Sequence, residues 1–338
     1  MRRRAGRRTN LALLAALALA LFTGFLAYAI GAAWGWWIVA AHGLVGLAIL
    51  VLAPWKSVIV QRGMARRRPG AAASIVLTAL VGLVVLTGVL HATGLGVSLG
   101  PVTSLQVHVG AALASIPLAL WHVVARPVRP RATDLSRRNL LRAGTFLGGA
   151  ALGYAAVEGL VRVTSLPGGE RRFTGSYEAG SLRPDSLPVT QWLDDSVQYV
   201  DRNGWRLTVV NASGARDFSY DELMSFDDRV RAVLDCTGGW YSEQDWEGVR
   251  LERLIPDPGE ARSVLVRSVT GYSRRLPARD LPNLLLAVRV GGRPLSAGHG
   301  FPARLVAPGR RGFWWVKWVS RIETSAVPWW VQSPFPLT

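Results

Sequence analysis

The sequence predicts two parts: an N-terminal all-α transmembrane bundle of about five spans over residues 1–165, and a C-terminal mixed α+β, strand-rich domain over 166–338. Three observations carry this. Apolar runs of spanning length recur through the first half, the charge is divided unequally between the halves, and the second half changes to short β-favouring runs punctuated by Pro and Gly. Residues 1–165 hold 17 of the 39 Lys+Arg but only two of the 22 acidic residues, Asp134 and Glu158. The excess of basic residues therefore sits between apolar runs, as the positive-inside rule requires of a membrane protein. A nucleic-acid binder would instead carry them on its folded domain, so nucleic acid is excluded as a partner.

Five arginines in residues 1–8 precede the apolar run Leu11–Ala33. A spanning helix needs about 20 such residues. Trp36–Trp55, Ala71–Thr93 and Leu105–Ala125 repeat the pattern, and a shorter glycine-rich run covers Ala143–Val161. A cleaved signal peptide would not be followed by four more spans, so the first run is read as a transmembrane helix. The loop Lys56–Arg68 carries Lys56, Arg62, Arg66, Arg67 and Arg68, and Arg126–Arg142 carries six arginines; the turns near Gly31–Gly35 and Gly94–Thr103 carry none. The N-terminus and both basic loops are thus expected in the cytoplasm, and residues 166–338 outside, in a multi-pass protein of the cell membrane. Ser136-Arg137-Arg138-Asn139-Leu140-Leu141-Arg142 before the fifth run resembles a twin-arginine export signal, although a plain basic flank reads the same way. That route carries folded proteins and implies a cofactor inserted before export.

Four of the five histidines, His42, His91, His108 and His122, lie in the spans. Ionisable groups in a bilayer are costly and default to a functional reading. His108 and His122 are fourteen residues apart, which returns to nearly one helix face roughly 21 Å further along. This spacing resembles the four-helix cytochromes b. The partner position fourteen beyond His42 is Lys56, so the pattern supports one outer bis-histidine b haem, most naturally between His42 and His108. The alternative is that these histidines bond to backbone carbonyls or lie at the interface.

From Thr164 to Pro188 the Gly, Ser and Pro content reads as a linker. Beyond it, Trp205–Val210, Val264–Val269, Leu284–Val290, Phe301–Val306 and Phe313–Val319 are predicted strands, and Ser219-Tyr220-Asp221-Glu222-Leu223 is the one clear helical start. Roughly 170 residues suffice to bury a core. The lone cysteine, Cys236, excludes an intramolecular disulfide. It follows the apolar Ala232-Val233-Leu234 and precedes the glycine pair Gly238–Gly239, which suits a buried strand breaking into a tight turn close to a ligand. A thiol so placed is a metal ligand or a buried structural cysteine. Trp240, Tyr241 and Trp246 either shape a substrate mouth or are core aromatics. Near the C-terminus, His299, Arg304 and Lys317 sit among glycines, an arrangement suited to a phosphate and a polar heterocycle or to solvated surface charge.

Asp235-Cys236-Thr237-Gly238-Gly239-Trp240, taken with His299-Gly300-Phe301-Pro302-Ala303-Arg304 and Val316-Lys317-Trp318, resembles the sulfite oxidase family of molybdopterin enzymes over about residues 170–325. The resemblance implies molybdenum held by one molybdopterin and by Cys236 thiolate. It implies pterin and phosphate contacts from His299, Arg304 and Lys317, and a pocket lined by Thr237, Gly238 and Tyr272. The family's Arg-Asn-His-type segment is replaced by Leu187-Pro188-Val189-Thr190-Gln191-Trp192, and Gly-Gly-Trp-Tyr follows the cysteine where sulfite oxidases place basic residues. An aromatic loop after the cysteine is nearer to the periplasmic methionine sulfoxide reductase branch, whose enzymes work with a separate haem-b membrane subunit fed by quinol. The implied activity is oxygen-atom transfer at molybdenum, on a small molecule or an oxidised protein side chain, with electrons exchanged with the quinone pool through a membrane haem b. The competing readings are a sulfite oxidase-type dehydrogenase, a non-catalytic protein that retains the fold, and a haem-only electron carrier.

Overall fold

The computed structural model describes residues 6–65, 70–96, 98–99, 102–192 and 195–336. Arg66, Arg67 and Arg68 of the basic loop lie outside them. The chain forms two compact units, Met1–Tyr28 with Trp34–Gly175, and Ala29–Ala33 with Ser176–Thr338.

The first unit is built from α1 (Arg7–Ala29), α2 (Trp36–Ala65), α3 (Ala71–Thr93), α4 (Ser104–Ala125) and α5 (Arg137–Val163). All five are long and apolar enough to cross a membrane. Strands β1 (Ser98–Leu99) and β2 (Val102–Thr103) pair between α3 and α4. Glycines in the left-handed region bracket α3, at Gly70 and Gly94. Thr103 caps α4 by accepting from the Gln106 N–H, while the Gln106 side chain accepts from the Thr103 N–H. Helix α2 runs to Ala65, past the predicted end at Trp55 and through Pro54. Lysine, glutamine and arginine end an apolar run without ending a helix. Helix α5 starts at Arg137, so the paired arginines form its first turn.

Helix α3 packs mainly on α4, and α2 on α5. Arg7 pairs with Asp134 at 2.5 Å, Arg8 with Asn139 at 3.1 Å, and Lys56 donates to Asn10 at 3.2 Å. The start of α1, the later part of α2 and the segment before α5 therefore share one end of the unit. There the basic flanks gather. Arg171 pairs with Glu158 and donates to the Ala92 carbonyl at 2.7 Å, which ties the segment after α5 to the end of α3.

The second unit is two sheets around one core. The six-stranded sheet is centred on β7 (Trp240–Arg250), flanked by β6 (Asp228–Asp235), β3 (Tyr177–Glu178) and β10 (Leu285–Val290), with β11 (Arg293–Pro294) and β12 (Arg304–Val306) on β10. The five-stranded sheet runs β5 (Gly214–Ser219), β4 (Arg206–Asn211), β13 (Val319–Ser325), β8 (Ser263–Ser268), β9 (Ser273–Pro277). Helix α6 (Tyr220–Met224) starts at the predicted place, with Ser219 and Glu222 forming a capping box. A second short helix, α7 (Leu251–Leu254), follows β7.

Two expectations are corrected. Phe313–Val319 is not a strand: Gly312–Trp314 forms a 3-10 turn and β13 starts at Val319. Phe313, Trp314, Trp315 and Val316 are all buried, so the run lacks the in-out alternation of a half-buried strand. The segment after Cys236 is not an aromatic loop but β7, the longest strand. Its inward positions are Ser242, Gln244, Trp246 and Gly248, a set with no apolar period for a reader to detect. A Cβ on Gly248 would lie 2.0 Å from the Leu286 carbonyl oxygen, so only glycine fits where β10 crosses. Trp246 is fully buried and meets Trp315 edge-on at 5.6 Å. It belongs to the core rather than to a substrate mouth. Trp246→Ala is expected to cost about 3–5 kcal/mol of folding free energy, read as an earlier denaturant midpoint by circular dichroism.

Candidate active site

Strands β6 and β7 pair antiparallel, with Asp235 opposite Tyr241, and residues 236–239 make the connection. The Cys236 N–H donates to the Trp240 carbonyl at 2.8 Å, and the Gly239 N–H to the Cys236 carbonyl at 3.2 Å. Gly239 takes a φ of 94°, which an L side chain rarely adopts. The turn presents Cys236 Sγ to a cleft of about 630 Å³ including its open mouth. The Gly238 N–H points at Sγ from 3.3 Å, and Thr190 Oγ1 lies 3.4 Å away.

Two cations line the same cleft. Arg304 opens β12 and is buried; its Nη1 donates to the His299 carbonyl at 3.2 Å. Burial lowers its pKa to about 10, with Cys236 pulling the other way. Lys317 Nζ donates to the carbonyls of Gly298 at 2.6 Å and Thr190 at 2.8 Å, and to Gln191 Oε1 at 3.2 Å. Burial, and then the positive Arg304, lower the lysine to about 7 against the opposing pull of Cys236 and Asp195. Gly300 holds the two together: a Cβ there would lie 3.2 Å from both Arg304 and Lys317, at a φ of 106°. The rest of the lining is aromatic or weakly polar, chiefly Trp192, Trp240, Phe313 and Trp315, with Asp195 as its carboxylate.

The structure thus brings Cys236, Thr237, Tyr272, Arg304 and Lys317 to one cleft, with Gly238 at the thiol. Tyr272 donates to the Phe313 carbonyl, and burial raises its pKa. His299 stands behind the lining. Its Nδ1 meets Ser296 Oγ at 2.9 Å and its Nε2 meets the Leu187 carbonyl at 3.0 Å, so it fastens the segment that delivers Thr190 and Gln191. Sequence reasoning noted Thr190, Gln191 and Trp192 only as a departure from a motif and assigned Asp195 no role. Trp240 lines the cleft; Tyr241 does not.

A family model described as "Oxidoreductase molybdopterin binding domain" matches residues 194–330. The "Uncharacterized oxidoreductase YuiH" of Bacillus subtilis is 30% identical over 168 residues, covering 44% of this chain and 81% of that protein. The chain belongs to the molybdopterin-binding oxidoreductase family. Among its relatives, mitochondrial sulfite oxidase of Rattus norvegicus is 29% identical over 167 residues, covering 38% of this chain and 31% of the relative. The Homo sapiens enzyme is 29% identical over 164 residues, covering 38% and 30%. The chain therefore spans about a third of the length of these sulfite oxidases. The crystal structure of the sulfane dehydrogenase SoxCD from Paracoccus pantotrophus aligns at a TM-score of 0.40, 22% identical over 44% of each chain.

The cleft fits the cofactor of this family. Arg304 Nε, Gln191 Nε2 and Trp240 Nε1 are buried without a hydrogen-bond partner among the described residues, and all three residues line the cleft. Three orphaned donors beside a thiol and two cations are matched by an anionic, acceptor-rich group.

In the helical unit, the rings of His42 and His108 stand edge to face, 5.8 Å between centroids. His42 Nδ1 meets the Ala20 carbonyl at 3.1 Å and Thr23 Oγ1 at 3.2 Å; His108 Nδ1 meets the Val84 carbonyl at 2.8 Å. Engaging Nδ1 on a carbonyl is how proteins direct Nε2 to a metal. A Cβ on Gly24 would lie 3.0 Å from the His42 ring, and one on Gly88 3.1 Å from the His108 ring, so both helices approach the pair closely. His91 and His122 stand apart from it. His91 Nε2 meets the Gly175 carbonyl at 2.8 Å, and His122 Nδ1 meets Ser74 Oγ at 3.3 Å beside Trp121.

Proposed function

We propose that the chain is a membrane-anchored molybdopterin-dependent oxidoreductase acting on a small uncharged S- or N-oxide or an oxidised protein side chain. Electrons are exchanged with the quinone pool through a haem b on His42 and His108. The observation that carries the reading is the Cys236 thiol in a cleft with Arg304, Lys317 and three orphaned buried donors. When bound, the molybdenum cofactor supplies two-electron oxygen-atom transfer and the haem supplies one-electron transfer.

The chain's own residues supply the rest. Cys236 is the protein ligand, a soft thiolate. Arg304 and Lys317 neutralise the anionic cofactor, and Thr237, Gly238 and Tyr272 shape its pocket. His299 acts on it through Leu187 and Arg304. Trp192, Trp240 and Phe313 give the mouth apolar walls, and the Asp195 carboxylate disfavours a dianion such as sulfite. His42 and His108, closely spaced with Nδ1 engaged, support the axial pair; His91 and His122 hold helix contacts. The gathering of Arg7, Arg8 and Lys56 with the segment before α5 supports that end as cytoplasmic, with the cleft-bearing domain extracytoplasmic and Arg137–Arg138 within a twin-arginine-like signal.

The test is metal and optical analysis of detergent-purified protein. One molybdenum per chain is expected, with a reducible haem-b band that His42→Ala or His108→Ala removes and His122→Ala leaves. Sulfoxide-dependent oxidation of a quinol analogue should exceed sulfite oxidation. Molybdenum without haem would reduce the spans to an anchor, and neither metal would refute the reading.

A further inference from the structure

Asp235 and Arg311 are 3% and 2% exposed, and Nη1 of the arginine lies 2.6 Å from Oδ1 of the aspartate. Ser176 Oγ donates to the same Oδ1 at 2.7 Å, and Arg311 Nη2 donates to the Cys236 carbonyl at 3.3 Å. None of the three residues lines the cleft. They come from three separate stretches. Asp235 ends β6; Ser176 leads into β3, where the Tyr177 N–H donates to the Gly239 carbonyl at 2.9 Å; Arg311 precedes the Gly312–Trp314 turn. Asp235 and Arg311 also form an isolated parallel bridge. A Cβ on Gly312 would lie 3.3 Å from the Cys236 Cα, so the segment that carries the arginine is pressed against the cysteine backbone.

A fully buried ion pair is a weak device for stability, since an apolar replacement of like volume is often neutral or better. It is a strong device for direction. The planar guanidinium fixes two donor directions at once. Here one is spent on the side chain before the cysteine and the other on the carbonyl of the cysteine itself. With the Gly239 N–H on the same carbonyl, the peptide after Cys236 is held from two sides. This fixes the Cα–Cβ direction from which Sγ reaches the Gly238 N–H and Thr190 Oγ1.

We infer that Arg311, held by Asp235 and Ser176, is a positioning residue that fixes the aim of Cys236 Sγ into the cleft. Its consequence for the loaded enzyme rests on the reading of Cys236 as the molybdenum ligand; the aim of the thiol does not.

Because Cys236 is the only cysteine, alkylation of the full chain made without cofactor reports on this position alone. At fixed pH and well below the thermal midpoint, Arg311→Met and Arg311→Lys are expected to change the iodoacetamide rate about tenfold or more, because the turn now opens locally. Ser176→Ala leaves the ion pair in place and should move the rate about two- to fivefold. Leu286→Val, a core change away from the turn, is expected to stay within about twofold of wild type. Loaded Arg311→Lys should keep its molybdenum but show a Mo(V) electron paramagnetic resonance spectrum with shifted g-values. Alkylation of Arg311→Lys and Ser176→Ala at the wild-type rate overturns the inference, even if Arg311→Met fails to fold. A wild-type Mo(V) spectrum from Cys236→Ser would instead remove the ligand reading and leave the alkylation result standing.

Discussion

Cys236→Ser is expected to lower turnover by at least about a hundredfold, while the thermal midpoint of the cofactor-free chain stays close to that of wild type. The two side chains differ little in volume, and the Gly238 N–H that faces Sγ at 3.3 Å can face a hydroxyl as well. What changes is the donor. A thiol gives up its proton to a metal and binds as a soft anion, whereas a serine hydroxyl keeps its proton near neutral pH. The variant should therefore fold, hold the organic part of the cofactor through Arg304 and Lys317, and fail at the metal. Turnover with an artificial electron donor, set beside molybdenum content per chain, checks this. Wild-type turnover in the variant would remove Cys236 from the chemistry.

The second large effect is on pH. Lys317 is held near 7 in the folded, cofactor-free chain, whereas an unfolded lysine titrates near 10.4. Below about pH 7 both states carry the proton and the folded state bears the full cost of a buried ammonium. Between about 7 and 10 the unfolded chain binds more protons than the folded one, so stability rises with pH. The rise attributable to this residue is about 2 kcal/mol from pH 7 to 9. Lys317→Met should flatten the curve over that window and leave its slope below pH 6 unchanged. Thermal melts of both proteins at matched pH measure the difference. An anionic cofactor would restore the proton, so its binding to the chain should take up a proton above neutral pH and weaken as pH rises.

The five helices were legible as elements, because a bilayer demands length and apolarity and little else. Not all their ends were: α1 is Arg7–Ala29 rather than Leu11–Ala33, α2 runs on to Ala65, and α5 starts at Arg137. Ala71–Thr93 is a predicted span and also an observed helix. The motif-bearing residues were legible as chemistry, and Cys236, Arg304 and Lys317 do converge. The rest of the cleft was not, for a physical reason. Strand β7 puts Ser242 and Gln244 inside, where Gln244 donates to the Gly180 carbonyl at 2.7 Å and to Ser242 Oγ at 3.0 Å. Buried polar residues that hydrogen-bond to each other and to the backbone erase the apolar alternation that a reader follows. Arg311 was invisible for the opposite reason: beside Arg310 it reads as surface charge, and only the fold places it 2.6 Å from Asp235.

Strand β13 has an unexpected address. It follows nearly all of the second unit in sequence, yet it lies in the middle of the five-stranded sheet, parallel to β4 and antiparallel to β8. Lys317 sits two residues before it. A growing polypeptide therefore holds β4, β5, β8 and β9 as two separate hairpins until β13 leaves the ribosome, and the wall that carries Lys317 is laid last. The domain cannot close on anything before residues 319–325 have been made, so cofactor capture follows synthesis of β13 rather than accompanying that of the earlier strands.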